Sequence, residues 1–406
     1  MCGLGAGIVC GWLMHQFLDK PTQEMINGEV LVPLRDVFLN ALKMMMAPVT
    51  FFAILAGITN IQDEGILARM GRKLMTASLF MQVVTALLAL MLAIVLFSGD
   101  LTYMQAGIVT SEQTTASAAY PSLKDLFFGI VPNNIVDPFK GGNILQVMFI
   151  AIFFGIVLNR IGMPRKVYQA ISFAFNFSIA VLRLIVVTIP FMVFLSMASL
   201  ISHTGLDAVV QFSRLFGGLL VGVPIVWAVA ALTTFLFTRM SPVQLIKKLI
   251  TISPFVFSVS SSHARLPFVL KFCEEKLGID PKLAAFSIPV GVQMNKAGNS
   301  IFFSLMTLMM MRIYGIELTD TLFLTLLVSV CIMSIAKPPV PCGGIICLAY
   351  LFTVVGVPAE AISVVVCVDP IAAMFNGVCN ESANITTTFA LAKSNNMLDK
   401  KVYYNS

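Results

Sequence analysis

Lys296 stands in the stretch MNKAGNS (294–300), between the apolar flanks SIPVGVQ and IFFSLMTLMMM. A charge at bilayer depth costs roughly 2.5–3.5 kcal/mol on insertion scales, so something must offset that cost or use the charge. Asn295, Gly298 and Asn299 surround it. Amide oxygens of this kind accept from an ammonium or coordinate a cation. A second lysine, Lys337, lies in SIAKPPVP (334–341). A third polar group, Asp369, Asn376, Asn380, Glu381 and Asn384, lies in VVVCVDPIAAMFNGVCNESANITTTFALA. Its three asparagines recur at i, i+4 and i+8 and so share one helix face. Such a face can simply pack on another helix. A solute or ion pathway is favoured, because polar groups in hydrocarbon are costly without a role. Bond-breaking chemistry has little support. HExxH, GxSxG and phosphate-loop patterns are absent, and Ser260, Ser261 and Ser262 beside His263 are chain neighbours without the third partner that a triad needs.

The elements that must hold these residues are membrane helices. The chain is 58% hydrophobic and only 11% charged, with mean hydropathy +0.91. Its length suits about eight spans of roughly 20 residues. The net charge of +6 does not imply nucleic acid, because the basic residues fall at span ends. The eight cysteines lack CxxC spacing and read as buried thiols. Spans are expected near residues 1–17, 32–58, 74–97, 144–158, 173–201 and 215–237, with the polar stretch LDKPTQEMINGE as a loop after the first. The start is apolar without a charged lead-in and reads as a first span, not a signal peptide. Arg69, Arg72 and Lys73, then Arg160, Arg165 and Lys166, then Arg239, Lys247 and Lys248, then Lys393, Lys400 and Lys401 mark alternate loops. That asymmetry puts both termini in the cytoplasm.

After the sixth span the regular pattern breaks. IKKLITISPFVFSVSSSHARLPFVLKFCEEK holds two apolar pieces too short to cross, and reads as a hairpin entering from the cytoplasm. Leu322 to Gly356 reads as a second hairpin entering from outside, because the prolines at its centre forbid regular helix. Irregular backbone survives at membrane depth only inside protein or along a wet cavity. Two broken hairpins in opposed orientation point to a transporter site. The MNKAGNS span lies between them, and a last span covers about 364–392.

These segments resemble the dicarboxylate/amino-acid:cation symporter family, which includes the glutamate transporters. SVSSSHARLP is similar to that family's serine-rich first tip. NKAGN (295–299) stands at its Asn-Met-Asp-Gly-Thr motif, and SIAKPPVP at its Ser-Ile-Gly-x-x-Gly-x-Pro tip. Asp369, Ala373, Asn376, Asn380 and Asn384 stand at its Asp-x-x-x-Asp-x-x-Arg-x-x-x-Asn-x-x-x-Asp pattern. The resemblance implies an all-α membrane protein with eight transmembrane helices, two re-entrant hairpins, inverted repeats and the glutamate-transporter-like elevator fold. It implies one domain over 1–406. Within it, a scaffold (about 1–60 and 125–205) would carry a sliding transport part (about 72–98 and 207–396), in a homotrimer of the plasma (inner) membrane. By the same resemblance Ser260, Ser261, Ser262, Ala373, Asn376 and Asn380 are substrate positions, to which Lys296 and Lys337 are added. Asn295, Ala297, Asn380, Asn384, Thr85 and Ser334 are ion-site positions.

The departures from the family carry the most information. Ala297 and Asn384 stand where the family has sodium-binding aspartates, although Asn295, Asn380 and Asn384 can still offer oxygens to Na⁺. Two carboxylates are lost and two ammonium groups gained. On one reading the lysines are tethered cations in place of sodium. On a second, Lys296 or Lys337 carries a proton or touches substrate directly, with Glu381 and Asp369 as coupling partners, because a buried lysine gives up its proton more readily. On a third, Lys296 and Glu381 form a structural ion pair. Ala373 and Asn376 replace the groups expected to hold an amino group and a second carboxylate, which favours small mono- or dicarboxylates, with a neutral amino acid still open. Arg265 is a further source of counter-charge, and His263 is a packing residue or a pH-sensitive gate group. Met306, Met309, Met310 and Met311 read as lipid-facing or packing surface. The function expected is secondary transport without an organic cofactor, coupled to Na⁺, to H⁺ or to neither. The alternative is an anion channel or ligand sensor on the same fold.

Overall fold

The computed structural model describes residues 2–59, 66–98, 129–141, 144–162, 164–204, 207–259, 262–337, 343–358 and 361–405. Its named elements there are all helical: α1 (Cys2–Phe17), α2 (Lys20–Ile26), a π-helical turn (Asn27–Leu31), α3 (Val32–Thr59), α4 (Ile66–Leu96), α5 (Asp137–Gly141), α6 (Ile144–Ile161), α7 (Arg165–Val187), α8 (Ile189–Thr204) and α9 (Asp207–Thr238). They continue with α10 (Pro242–Ser258), α11 (Ser262–Leu277), α12 (Pro281–Met294), α13 (Ala297–Ile313), α14 (Asp320–Ala336), α15 (Gly343–Val355), α16 (Ile362–Ser394) and α17 (Lys400–Asn405). Four stretches are long and apolar enough to cross a membrane: Gly71–Leu96, Arg165–Ile185, Phe212–Thr238 and Val364–Ser394. Shorter apolar helices include Gln146–Leu158, Pro190–Ser202, Asp320–Ala336 and Gly343–Val355.

Three expectations change. The polar stretch after α1 is helical and not a loop: α2 starts with Pro21 in its first turn and runs through the π turn into α3. Buried Gln23 and Asn27 explain this, since Gln23 donates to Met14 O and Leu18 O (both 2.9 Å) and Asn27 donates to Ser202 Oγ (2.9 Å). The single span expected over 173–201 is divided at Thr188, just before Pro190, whose ring cannot continue a helix without loss of a hydrogen bond. The MNKAGNS stretch interrupts its helix instead of lying within it, because α12 ends at Met294 and α13 begins at Ala297.

The two segments expected to be re-entrant appear as helix pairs, α10 with α11 and α14 with α15. Their ends follow local rules. Pro242 and Pro281 occupy first-turn positions, where a missing N–H does no harm. Asp280 caps α12 by accepting from Lys282 N (2.9 Å), and Thr319 caps α14 by accepting from Leu322 N (3.3 Å).

Packing divides the helices into two groups. In one, α1 lies on α8, and α3 lies on α6 and α7. In the other, α16 packs on α4, α9, α10, α12, α13 and α15, and it also packs on α8, which joins the two groups. The apolar window of α16 is 67% buried, against 17% for that of α7. Phe173, Phe177, Leu184 and Val187 leave a broad apolar surface on α7, suited to hydrocarbon. Met306, Met309, Met310 and Met311 are buried in α13, so they pack the interior and do not face lipid. The central helices thus hold the polar residues that the sequence singled out.

Candidate functional site

The site is built around the break between α12 and α13. Asn295 leaves the helical region (φ −88°, ψ 92°) after its N–H bonds to Gly291 O at 2.8 Å. Lys296 follows at φ −120°, ψ 37°. A break exposes backbone groups that no water can satisfy at membrane depth, so side chains must do it. Asn380 of α16 does so, while Asn376 and Asn384 bond carbonyls of the helices on either side. Asn376, with its amide nitrogen turned toward the break, donates to Gly298 O at 2.9 Å and to Ala372 O at 3.3 Å. Asn380 Oδ1 accepts from Gly298 N at 2.9 Å. Asn384 donates to Ile288 O at 3.1 Å. The i, i+4, i+8 face is therefore the face turned toward the break and the helices on either side of it. Gly298 permits the approach, since a Cβ there would lie 2.5 Å from Asn376 O and 2.6 Å from Asn376 Cα.

The second hairpin closes on the same point. Lys337 ends α14 and donates to Asn299 Oδ1 at 3.3 Å, an oxygen that Asn380 Nδ2 also approaches at 3.5 Å. Ser334 accepts at its carbonyl from Asn299 Nδ2 (3.5 Å) and at its hydroxyl from Ser300 Oγ (3.1 Å). Gln82 on α4 donates to Ser300 Oγ. Thr85, one turn along α4, is buried, and its hydroxyl has no partner among the described residues. Sequence reasoning passed over Gln82 and Ser300. The available signal was a lone amide in the apolar run MQVVTALLAL, three residues before Thr85.

The first hairpin contributes a charge where none had been assigned with certainty. Arg265 is buried, with its Nε 3.7 Å from Glu381 Oε2 on α16. Its Nη1 donates to Val256 O (3.1 Å) and its Nη2 to Ser262 Oγ (3.0 Å). Gly377 leaves room for the guanidinium, because a Cβ there would collide with Nη1. Glu381 thus pairs with Arg265, and the reading that pairs it with Lys296 in a structural ion pair is not met among the described residues. Glu381 Oε1 also accepts from Asn384 Nδ2 at 3.1 Å. The Ser262 hydroxyl serves Arg265 in this arrangement.

Among the expected ion positions, Ala297 offers no side-chain oxygen, while Asn295 and Asn384 come together beside Gly291. Asn295 Nδ2 donates to Thr387 Oγ1 at 3.0 Å, and the Oδ1 atoms of Asn295 and Asn384 are buried without a hydrogen bond among the described residues. Such neutral oxygens suit a hard cation but bring no charge to it. Among the described residues no three of His, Cys, Asp and Glu gather to hold a metal. Asp369 is buried with its Oδ1 unbonded, close to Gly344 at the start of α15. Ala373 lies half-buried on α16. Ser260, Ser261 and the second tip (338–342) fall outside the described residues, as does the side chain of His263.

The chain is 28% identical to the C4-dicarboxylate transport protein of Laribacter hongkongensis, over 97% of this chain and 88% of that protein. It is 28% identical to the C4-dicarboxylate transport protein of Bacillus subtilis, over 92% and 89% of the two chains. It is 24% identical to the proton/glutamate-aspartate symporter of Bacillus subtilis, over 91% and 87%. A family match spans residues 1–394. The chain belongs to the sodium:dicarboxylate symporter family, whose members are membrane transporters of small molecules and not enzymes.

Proposed function

We propose that the chain is a secondary active transporter of small carboxylates or amino acids that works by elevator-type alternating access with degraded sodium sites. The observation that carries this reading is the break at Asn295–Lys296. It joins a buried lysine, three asparagines of α16 and the end of the second hairpin in one polar cluster. A cluster at this depth is costly unless it serves a solute. The names of the relatives, C4-dicarboxylate transport protein and proton/glutamate-aspartate symporter, agree with a carboxylate cargo. In this reading a scaffold (about 1–60 and 125–205) carries a sliding part (about 72–98 and 207–396), and the seam between them includes the packing of α8 on α16. The assembly is a homotrimer in the cell membrane with both termini cytoplasmic.

In this reading Lys296 and Lys337 place tethered cations where Ala297 and Asn384 leave carboxylates missing. The substrate would meet Lys296, Lys337, Asn380 and the serines of the first tip. Sodium would bind weakly or not at all at Asn295, Asn380 and Asn384, and H⁺ is the other candidate coupling ion. Uptake and counterflow into proteoliposomes test this, with small carboxylates and amino acids, with and without Na⁺ and under an imposed pH gradient. Sodium-independent counterflow is expected. Strict sodium dependence would overturn the tethered-cation reading, and currents that outlast any substrate gradient would mark a channel.

A further inference from the structure

We infer that the site accepts a substrate with one negative charge, and that the Arg265–Glu381 pair sets that number. This deepens the transport reading and rests on it. Among the described residues, five charged side chains surround the break: Arg265, Lys296, Lys337, Asp369 and Glu381. Arg265 and Glu381 neutralise each other at 3.7 Å. Lys337 and Asp369 both face Gly344, where a Cβ would lie 3.6 Å from Nζ and 2.6 Å from Oδ1; they form no ion pair, but their opposite charges offset each other in the count. Lys296 remains. It is only 5% exposed and has no hydrogen bond among the described residues, yet it lies within electrostatic reach of Lys337, Glu381 and Arg265. The hairpin tips outside the described residues, Ser260–Ser261 and 338–342, carry no charged side chain, so they leave the count unchanged. His263 is the one further ionisable group beside the first tip in sequence.

A lone buried ammonium is a strong demand for one anion. One carboxylate on the ligand completes the site. A second would be buried without a counter-charge, because the guanidinium of Arg265 is already held by Glu381, Val256 O and Ser262 Oγ. Asn376 cannot replace it, since its amide is engaged by Gly298 O and Ala372 O. The class expected is a short monocarboxylate whose other end is neutral and polar. This would separate the chain from the relatives named for C4-dicarboxylates.

The test uses two probes of equal length, a four-carbon dicarboxylate and its monoamide, which differ by one charge at neutral pH. Thermal stabilisation of the purified full chain and inhibition of counterflow are read for both. The monoamide should act at about tenfold lower concentration or less. Glu381→Gln frees Arg265 and should reverse the preference toward the dicarboxylate, and Lys296→Met should abolish the response to both. A wild-type preference for the dicarboxylate would overturn the charge count while leaving the transport reading intact. If no carboxylate or amino acid is taken up at all, both fall. Reversal of the preference by His263→Gln would show that His263 sets the count, against this inference. Should Glu381→Gln fail to fold, the wild-type comparison alone decides.

Discussion

The first hairpin, α10 with α11, is tied to α16 by a buried guanidinium that also bonds its own two arms, through Val256 O and Ser262 Oγ. Its base is held as well. Lys248 Nζ donates to Tyr403 O at 2.8 Å, Tyr403 Oη donates to Ser241 O at 2.6 Å, and Asp399 N donates to Gly278 O at 2.8 Å. The second hairpin, α14 with α15, meets the break through one ammonium bond of 3.3 Å and neutral bonds at Ser334. Lys337 is half-buried, whereas Arg265 is 1% exposed. A charge locked by an opposite charge in a dry interior is hard to release; a half-wetted lysine on an amide is not. The difference teaches that the second hairpin is held to the break more weakly than the first is held to α16.

The largest test of that contrast is Arg265→Met. It strands Glu381 in the interior and should cost about 3–5 kcal/mol. Thermal unfolding of the purified protein would read this, and Arg265→Met with Glu381→Met should recover most of it. A single variant as stable as the wild type would show that the first hairpin is not locked by charge. Gly377→Ala comes next. Its new Cβ would press on Nη1 of Arg265, a group fixed by three partners, and overpacking of this kind costs about 1–3 kcal/mol. A neutral outcome would mean that the guanidinium has freedom the contacts do not suggest. Lys337→Met should cost less, about 1 kcal/mol, because one bond to a half-exposed group is lost. Its larger effect should be on opening: amide hydrogen exchange should quicken in α14 and α15 and stay unchanged in α10 and α11. Equal quickening in both hairpins would end the contrast.

Much of this architecture was readable in the residues. Long apolar runs gave α6 and α16 close to their observed ends and the C-terminal ends of α4 and α9, which start well before the expected residues, and proline-broken or serine-rich segments gave both helix pairs. The asparagine spacing gave the polar face of α16. The failures came where a tertiary partner overrode a local pattern. LDKPTQEMINGE is polar and looks like a loop, but Gln23 and Asn27 find buried acceptors that make it helix. The break at Asn295 was hidden because its flanks are apolar and its cost is met from α16, far away in sequence. Arg265 was legible as a charge near a tip. Its partner was not, because Glu381 lies 116 residues later and two lysines competed for it on paper.

Ser300→Ala offers the smallest and most selective test. Ser300 Oγ stands between Gln82 on α4 and Ser334 at the end of α14, so it joins α4 to the second hairpin without any charge. Its removal should cost about 0.5–1.5 kcal/mol, the worth of a neutral hydrogen bond. The substitution leaves Gln82 buried and in need of a new acceptor, which keeps the effect from vanishing. If the second hairpin is held mainly by such neutral bonds, Ser300→Ala and Lys337→Met should quicken exchange in α14 by similar factors, and the double variant should approach their sum. If Lys337 alone holds it, Ser300→Ala should lower stability without any change in α14 exchange, and the second hairpin would then resemble the first in being fixed by charge.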